Sequence, residues 1–330
     1  MNKALRYALP AALLLAGNFV LAQGDLDDKD RKALREKAAA TVDSTKIWTK
    51  GGIFQLNFTQ VQLVNWSAGG LSSLSGIAQV NAFANKRKGK IAWDNSLAIA
   101  YGLLAQEGKR SFKSDDRFEL NSRYGYQIGS SAWYASAMLQ FRSQFTEGFN
   151  ATNDTVKISN LLAPGYLLFG LGADYKPNDK FSLYISPATV KMTFVMDQDL
   201  ADAGAFGVDP AVYELDSLGL PGRRTTPGET SLFQFGAFLN ATYQTPVAKN
   251  ISFMTRLDLF SNYLKDPSNI DVNWEMLWTF KVNDWFAATL NTMLIYDHDI
   301  DIARVEDNTP KFGPTTQFRE TLGVGLNFKF

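Results

Sequence analysis

The last ten residues, TLGVGLNFKF, alternate strictly between apolar and small or polar side chains and stop on the aromatic Phe330. A β-strand turns successive side chains to opposite faces. Leu322, Val324, Leu326, Phe328 and Phe330 therefore share one face, and Thr321, Gly323, Gly325, Asn327 and Lys329 share the other. An apolar face backed by glycine, amide and ammonium suits a strand with lipid on one side and a polar lumen on the other, the pattern of a transmembrane barrel. A chain that closes on such a strand has few other folds open to it.

The opposite end agrees. Lys3 and Arg6 precede an apolar run from Ala8 to Ala22 that ends on a small residue before Gln23. This is the layout of a cleaved signal peptide, although an uncleaved anchor uses the same residue types. Residues 1–22 are read as the signal, 23–47 as a short periplasmic extension and 48–330 as the barrel. The extension contains DLDDKDRKALREKAAA, which is charged and rich in helix formers but lacks a clear apolar stripe. It reads as a linker or loose helix, with a lumen plug as the alternative.

Loss of the signal removes Lys3 and Arg6 and no acidic residue from a chain with 33 basic and 33 acidic side chains, so the remainder is close to neutral. That balance points to neither nucleic acid nor a broad anionic surface as a partner. The absence of cysteine excludes disulfides, thiol nucleophiles and thiolate metal sites. After the signal, no stretch approaches the roughly 20 apolar residues of a transmembrane helix, so a membrane-spanning structure has to be a closed barrel.

Period-two segments bounded by turn residues fall near 52–65, 72–85, 90–104, 113–128, 131–147, 165–176, 180–194, 229–243, 249–264, 269–282, 284–298 and 315–330. The twelve segments make an even count, which leaves both chain ends on the periplasmic side. Periplasmic connections are expected at KRKG (86–89), Gly129-Ser130, Asn178-Asp179, a Pro246 segment and Asn283. The long connections, 148–164, 195–228 and 299–314, all fall on the outer side. The 195–228 loop, with three prolines and no sustained alternation, reads as a mobile outer loop or an inward-folded constriction. Trp93, Tyr101, Tyr124, Tyr126, Trp133, Tyr175, Tyr243, Trp285 and Tyr296 lie near strand ends, where aromatic girdles form.

The same alternation turns Asp94, Arg117, Glu119, Arg123, Arg142, Asp174, Arg256, Asp258, Glu275, Lys281 and Arg319 inward. A midplane Arg or Lys on the lipid face costs about 2–4 kcal/mol, so this segregation supports the register. Simple hairpin pairing sets Asp94 opposite Arg123, Arg117 opposite Arg142 with Glu119 bridging diagonally, and Asp258 opposite Glu275. One lumen wall then reads as basic and another as acidic. The result is either a transverse field that orients polar solutes or a salt-bridged network that fills the barrel.

The sole histidine, His298, sits in YDHDID with Asp297, Asp299 and Asp301. A hydrolase would pair it with an acidic partner and a nucleophile, and spaced aspartates also suit calcium; an ordinary polar loop accounts for the same residues. One histidine cannot make a zinc site of the usual ligand count. The glycine pairs lie on turns or strands and form no phosphate-binding loop.

In the N-terminal half, Gln60, Asn65-Trp66 with Gly69-Gly70, Trp93-Asp94-Asn95, Tyr101-Gly102, Lys113 with Asp115-Asp116-Arg117, and Gln144 with Gly148-Phe149 form a recognisable set. It resembles an uncharacterised outer-membrane β-barrel family of Bacteroidota, catalogued as a domain of unknown function, over roughly Trp48 to Phe330. The resemblance implies the barrel and its location and supplies no activity, substrate or catalytic residue. Trp66, Asp115, Asp116 and Arg117 are expected to gather at the outer rim, as a ligand-facing patch or as a rim that fixes the loops.

The expectation is an all-β, transmembrane, antiparallel up-and-down β-barrel of about twelve strands. It is monomeric, without cofactor, and surrounded by lipid and lipopolysaccharide in the outer membrane. The favoured function is a narrow channel or transporter for small polar solutes. A non-conducting structural or assembly component is the competing class, and a hydrolase using His298 the third. A through-going lumen favours the first, and a core blocked by paired Arg and acidic side chains the second.

Overall fold

The computed structural model describes residues 47–61, 72–149, 155–216, 220–283, 285–306 and 309–329. The signal peptide, nearly all of the extension, the NWSAGG segment with Trp66, and Phe330 lie outside the described residues. Twelve strands close into one barrel. They are β1 (Trp48–Val61), β2 (Ser73–Lys88), β3 (Ile91–Gln106), β4 (Phe112–Gln127), β5 (Trp133–Ser143) and β6 (Gly165–Tyr175). The second half is β7 (Phe181–Phe194), β8 (Ser231–Ala248), β9 (Ile251–Asn262), β10 (Ile270–Lys281), β11 (Phe286–Tyr296) and β12 (Gln317–Lys329). Each strand pairs antiparallel with its sequence neighbours, and β12 returns to β1 with Phe54 opposite Phe328 and Leu56 opposite Leu326.

The alternation that builds the strands is plain in β9, where Ser252, Met254, Arg256, Asp258 and Phe260 are all buried and the residues between them are not. The outward faces leave large apolar side chains uncovered, among them Phe58, Leu103, Leu171, Phe233, Phe318 and Leu322. A girdle of apolar groups this extensive is stable only against hydrocarbon. At the tight-turn end, Trp48 packs on Trp93 with ring centroids 5.5 Å apart, and Trp133 on Tyr175 at 4.8 Å.

Several strand ends differ from the sequence reading for local reasons. β1 starts four residues before the expected 52, because Trp48 to Gly51 already pair with β2. β5 stops at Ser143 rather than 147, because Gln144 to Thr146 turn aside to bond with β4. Pro246 lies inside β8 beside a bulge, and the turn follows at 249–250. A second irregularity, on β7, surrounds Pro187, which has no N–H for the ladder. Ser186 compensates there by donating from Oγ to the Leu171 carbonyl (2.9 Å), and Thr189 donates to Ser186 Oγ (2.7 Å).

The described parts of the long loops fold on themselves. Ile158, Ala163, Val195, Leu200, Ala201, Phe206 and Val208 form a small apolar core beyond the strand ends. It includes part of a short helix, Gln198–Asp202, capped by Asp197; an exposed hairpin of Val212–Leu215 with Pro221–Thr226 follows it in the chain. Asp197 also accepts from Asn160 Nδ2 (2.8 Å) and pairs with Lys157 (2.5 Å). The described residues of 195–228 thus carry secondary structure of their own. Gly207, at φ +86°, lies close enough to the Asp299 carbonyl that a Cβ there would approach it to 3.1 Å, and Asp299 in turn accepts from Gln234 inside β8 (2.7 Å).

Candidate functional site: the charged belt in the lumen

The charges expected in the lumen are there, but they pair differently. Asp94 stands opposite Arg123, as expected. The β4–β5 turn takes in 128–132, held by Ser131 N–H to the Ile128 carbonyl (3.2 Å), which moves the register by two. Glu119 rather than Arg117 consequently faces Arg142. The β9–β10 connection is longer than assumed as well, so Arg256 faces Glu275, and Asp258 faces Asn273. Both corrections replace like or diagonal pairs with opposite charges side by side, the arrangement a low-dielectric lumen favours.

The side chains then reach across the barrel. Arg142 of β5 lies 3.6 Å from Glu119 and 3.8 Å from Asp258 of β9. Arg256 of β9 lies 2.9 Å from its neighbour Asp258 and 3.7 Å from Glu119 of β4. Round a ring of twelve, β4 and β9 are five positions apart and β5 and β9 four, so Arg256–Glu119 and Arg142–Asp258 reach across the lumen. Each wall therefore carries both signs, and the expected division into a basic and an acidic wall is replaced by a neutral belt. Glu119 is 1 % exposed and Glu275 fully buried. On the neighbouring wall, the inward residues Ile53 of β1 and Ala100 of β3 are likewise 0 % exposed.

Neutral polar groups complete the belt, and the sequence reading passed over them because it followed charge alone. Asn121 and Gln140 bond to Glu119 and to each other, Asn291 donates to Glu275 (2.7 Å), and Asn240 donates to Asp258 (2.5 Å). All of them sit on the inward register, which is the signal that would have found them. Towards the tight-turn end, Arg123 bonds Asp174 (3.0 Å) and Asn240 (2.9 Å), with its guanidinium 4.8 Å from the Tyr184 ring centre. Asp94 pairs with Lys176 (3.1 Å) and Arg87 (2.5 Å). Arg117 lies nearest Asp115, at 3.9 Å.

The rim residues divide. Asp115 faces the lumen side with Arg117, whereas Asp116 is covered by the segment after β5. Asp116 accepts from the N–H groups of Phe145 (2.8 Å) and Thr146 (2.9 Å), from Thr146 Oγ1 (3.0 Å) and from Lys113 Nζ (2.9 Å). Lys113 also donates to Gln144 Oε1 and to the Thr146 carbonyl, both at 2.7 Å. Gly148 follows, and a Cβ there would run into Ser159 and Lys113. The motif residues Lys113, Asp116, Gln144 and Gly148 thus form one latch that ties the loop after β5 to the start of β4.

Between the belt and the loop end lies a cavity of about 150 Å³. Leu168, Phe238, Phe260 and Ile295 line it, with Arg142 and Asp258 at the belt and Lys191, Asp271 and Asp297 at the loop end. His298 stands near that end; its Nδ1 is 3.3 Å from the Tyr296 hydroxyl, and its N–H donates to Asp271 (3.3 Å). Among the described residues, no three His, Cys, Asp or Glu side chains are grouped to hold a metal.

Comparison with known proteins adds the following. A family model described as a protein of unknown function (DUF3078) matches residues 58–149, a span that ends with the latch. No curated protein matches the chain. Among solved structures, it is similar to an outer-membrane channel from Pseudomonas putida F1, at 10 % identity over 85 % of this chain and 94 % of that one, with a TM-score of 0.38. It is also similar to the translocator domain of the autotransporter NalP from Neisseria meningitidis, at 10 % identity over 92 % and 95 %, with a TM-score of 0.35. A third is the NanC porin, at 6 % identity over 85 % and 100 %, with a TM-score of 0.34. No residue role passes from these structures to this chain.

Proposed function

We propose that this protein is an outer-membrane barrel whose lumen is closed at rest and which serves as a non-conducting scaffold, presenting its folded loop cap outside the membrane. The location is the one implied by the motif resemblance to a Bacteroidota family and supported by the apolar outer face. The observation that carries the closed state is the pair of cross-lumen contacts, Arg142 with Asp258 and Arg256 with Glu119. Opening a path there means separating buried opposite charges, and a charge left unpaired in a low-dielectric interior costs several kcal/mol. The cap supplies the surface to present, with Val212 and Leu215 of its hairpin uncovered beyond the strands. The reading assigns no catalytic role to His298.

A second reading has one observation of its own. The cavity beside the belt is space inside the lumen that a narrow channel or transporter for small polar solutes would use, with the belt as its gate. Purified protein in planar bilayers separates the two. The scaffold reading expects no steady conductance from the wild type and openings from Arg142→Ala combined with Arg256→Ala. Steady or solute-dependent conductance from the wild type would overturn it in favour of the channel.

A further inference from the structure

The cavity at the loop end of the lumen has walls, a floor and an unequal supply of carboxylates and cations. Its volume is about 150 Å³, and Leu168, Phe238, Phe260 and Ile295 give it an apolar body. A cavity of about this size lined by apolar side chains accommodates a molecule as large as benzene. The floor is the belt, in which Glu119 and Asp258 balance Arg142 and Arg256.

The loop end is not balanced. Among the described residues, Lys191 is the one cation paired with two carboxylates there, Asp271 at 3.0 Å and Asp297 at 3.6 Å. Asp299 does not share this deficit, because it pairs with Lys265 (3.2 Å) and accepts from Gln234. The Oδ1 of Asn273, another lining residue, has no hydrogen-bond partner. Carboxylates therefore outnumber cations at this end, where the Tyr166 hydroxyl is a further polar group of the lining. The Phe260 ring, whose centre is 5.0 Å from Lys191 Nζ, presents a face that already favours a cation.

We propose that this cavity is a binding site for a small primary amine with an apolar body. The ammonium lies by Asp271, Asp297 and the Asn273 carbonyl, and the body lies against Leu168, Phe238 and Phe260. The cavity carries the assignment of a site, and the two carboxylates to one lysine, with the unpartnered Asn273 Oδ1 beside them, assign the class of ligand. Small-molecule sites commonly have this form, a mostly apolar pocket in which a few polar groups fix orientation.

Isothermal titration of the purified, full-length, folded barrel tests it with three probes of one shape: benzylamine, benzyl alcohol and benzoate. Benzylamine is expected to bind at least about tenfold more tightly than the alcohol, with benzoate weakest, since one desolvated charge contact is worth on the order of a factor of ten. Asp297→Asn lies just beyond the strand end and is expected to remove that preference, weakening the amine about tenfold more than the alcohol. Leu168→Trp fills the cavity and is expected to abolish binding of all three; Ile295→Phe is the substitute if that variant does not fold. Equal binding of amine and alcohol overturns the ligand class. Binding that survives filling, or none by the wild type, overturns the site. Bilayer conductance reports on the belt alone, so failure of the closed-lumen reading is distinguishable from failure of this one.

Discussion

Two buried ion-pair systems in this barrel are built to different tolerances. At the loop end, Lys113 and Asp116 meet at 2.9 Å, and each makes further hydrogen bonds no longer than 3.0 Å. Among the ion pairs of the belt, only Arg256 with Asp258 is as short, and the other pairs among Glu119, Arg142, Arg256 and Asp258 run from 3.6 to 3.8 Å. Arg142 Nε and Nη2, Arg256 Nη1 and Glu119 Oε2 make no hydrogen bond at all. A pair whose donors and acceptors are all used has one geometry of low energy. A network with unspent groups has several of similar energy, because moving one side chain exchanges partners without losing many bonds. The latch therefore fixes a loop, and the belt fills a lumen while keeping the ability to rearrange.

The largest effect should come from Asp116→Ala. It leaves the Lys113 ammonium buried with neutral acceptors only and strips two backbone N–H groups of their partner, a loss of about 3–5 kcal/mol. Denaturant unfolding of the barrel in lipid vesicles measures it, with proteolysis in the 144–149 segment as the local readout. If Asp116→Ala costs no more than a belt substitution, the contrast between the two systems is wrong.

Glu119→Gln probes the other side. The amide can still bond with Asn121 and Gln140, so the loss is that of charge-assisted contacts already longer than hydrogen bonds, about 1–3 kcal/mol. It also leaves Asp258 as the one carboxylate within 4 Å of Arg142 and Arg256 among the described residues, and the lumen acquires one net positive charge. Brief anion-selective openings in planar bilayers are expected from this variant. A fall in stability as large as that of Asp116→Ala would show that the belt is held in one geometry as firmly as the latch.

The fold is legible in the sequence wherever one face of a strand meets lipid. ISFMTRLDLFSN alternates so regularly that inside and outside follow from the sequence, and β12 pairs with β1 near Phe54 as its pattern implies. Hairpin registers are less legible, because turns at 128–132 and 263–269 add residues that alternation does not reveal. Two residues of slip keep every side chain on its face while changing its partner, which is why simple pairing sets Arg142 against Arg117 rather than Glu119. Contacts across the lumen are not legible at all. They depend on strand tilt and on how far an Arg reaches, not on spacing along the chain. The latch is visible as KSDDR and QFTEGF, but its bonds depend on β5 ending at Ser143, and the region of Trp66 lies outside the described residues.

Gly148→Ala sharpens the latch on a smaller scale. The added methyl group meets Lys113 Cε at 2.5 Å and Ser159 Oγ closer still. Because the lysine stem is flexible, a loss of about 1 kcal/mol is expected, the low end for overpacking. The readout that matters is the latch itself: proteolysis at 144–149 should rise without any change in belt conductance. Conductance that appears with this substitution would mean the two systems are coupled.

The smallest effect is a pH dependence in the cap, where Lys157 and Asp197 form a third pair at 2.5 Å, outside the strands and partly exposed. Burial pushes the Asp197 carboxyl up, but hydrogen bonds from Lys157, Asn160 and Leu200 outweigh it and hold the group below its ordinary 3.8. The Asp197 hydrogen bond raises Lys157 above its ordinary 10.5 against a smaller opposing effect of burial. A lowered carboxyl contributes stability that is present above its unfolded value and lost as pH falls through the folded one. A raised amine contributes stability that is full below its unfolded value and lost as pH rises through the folded one. Protection of 195–208 from proteolysis should therefore be flat from about pH 4 to about pH 10 and fall at both ends, by about 0.5 kcal/mol for a pair this exposed. Asp197→Asn should remove the acid edge and leave the latch and belt untouched. A step in cap protection near neutral pH would place the controlling group elsewhere and break the separation between a pinned loop end and an adjustable lumen.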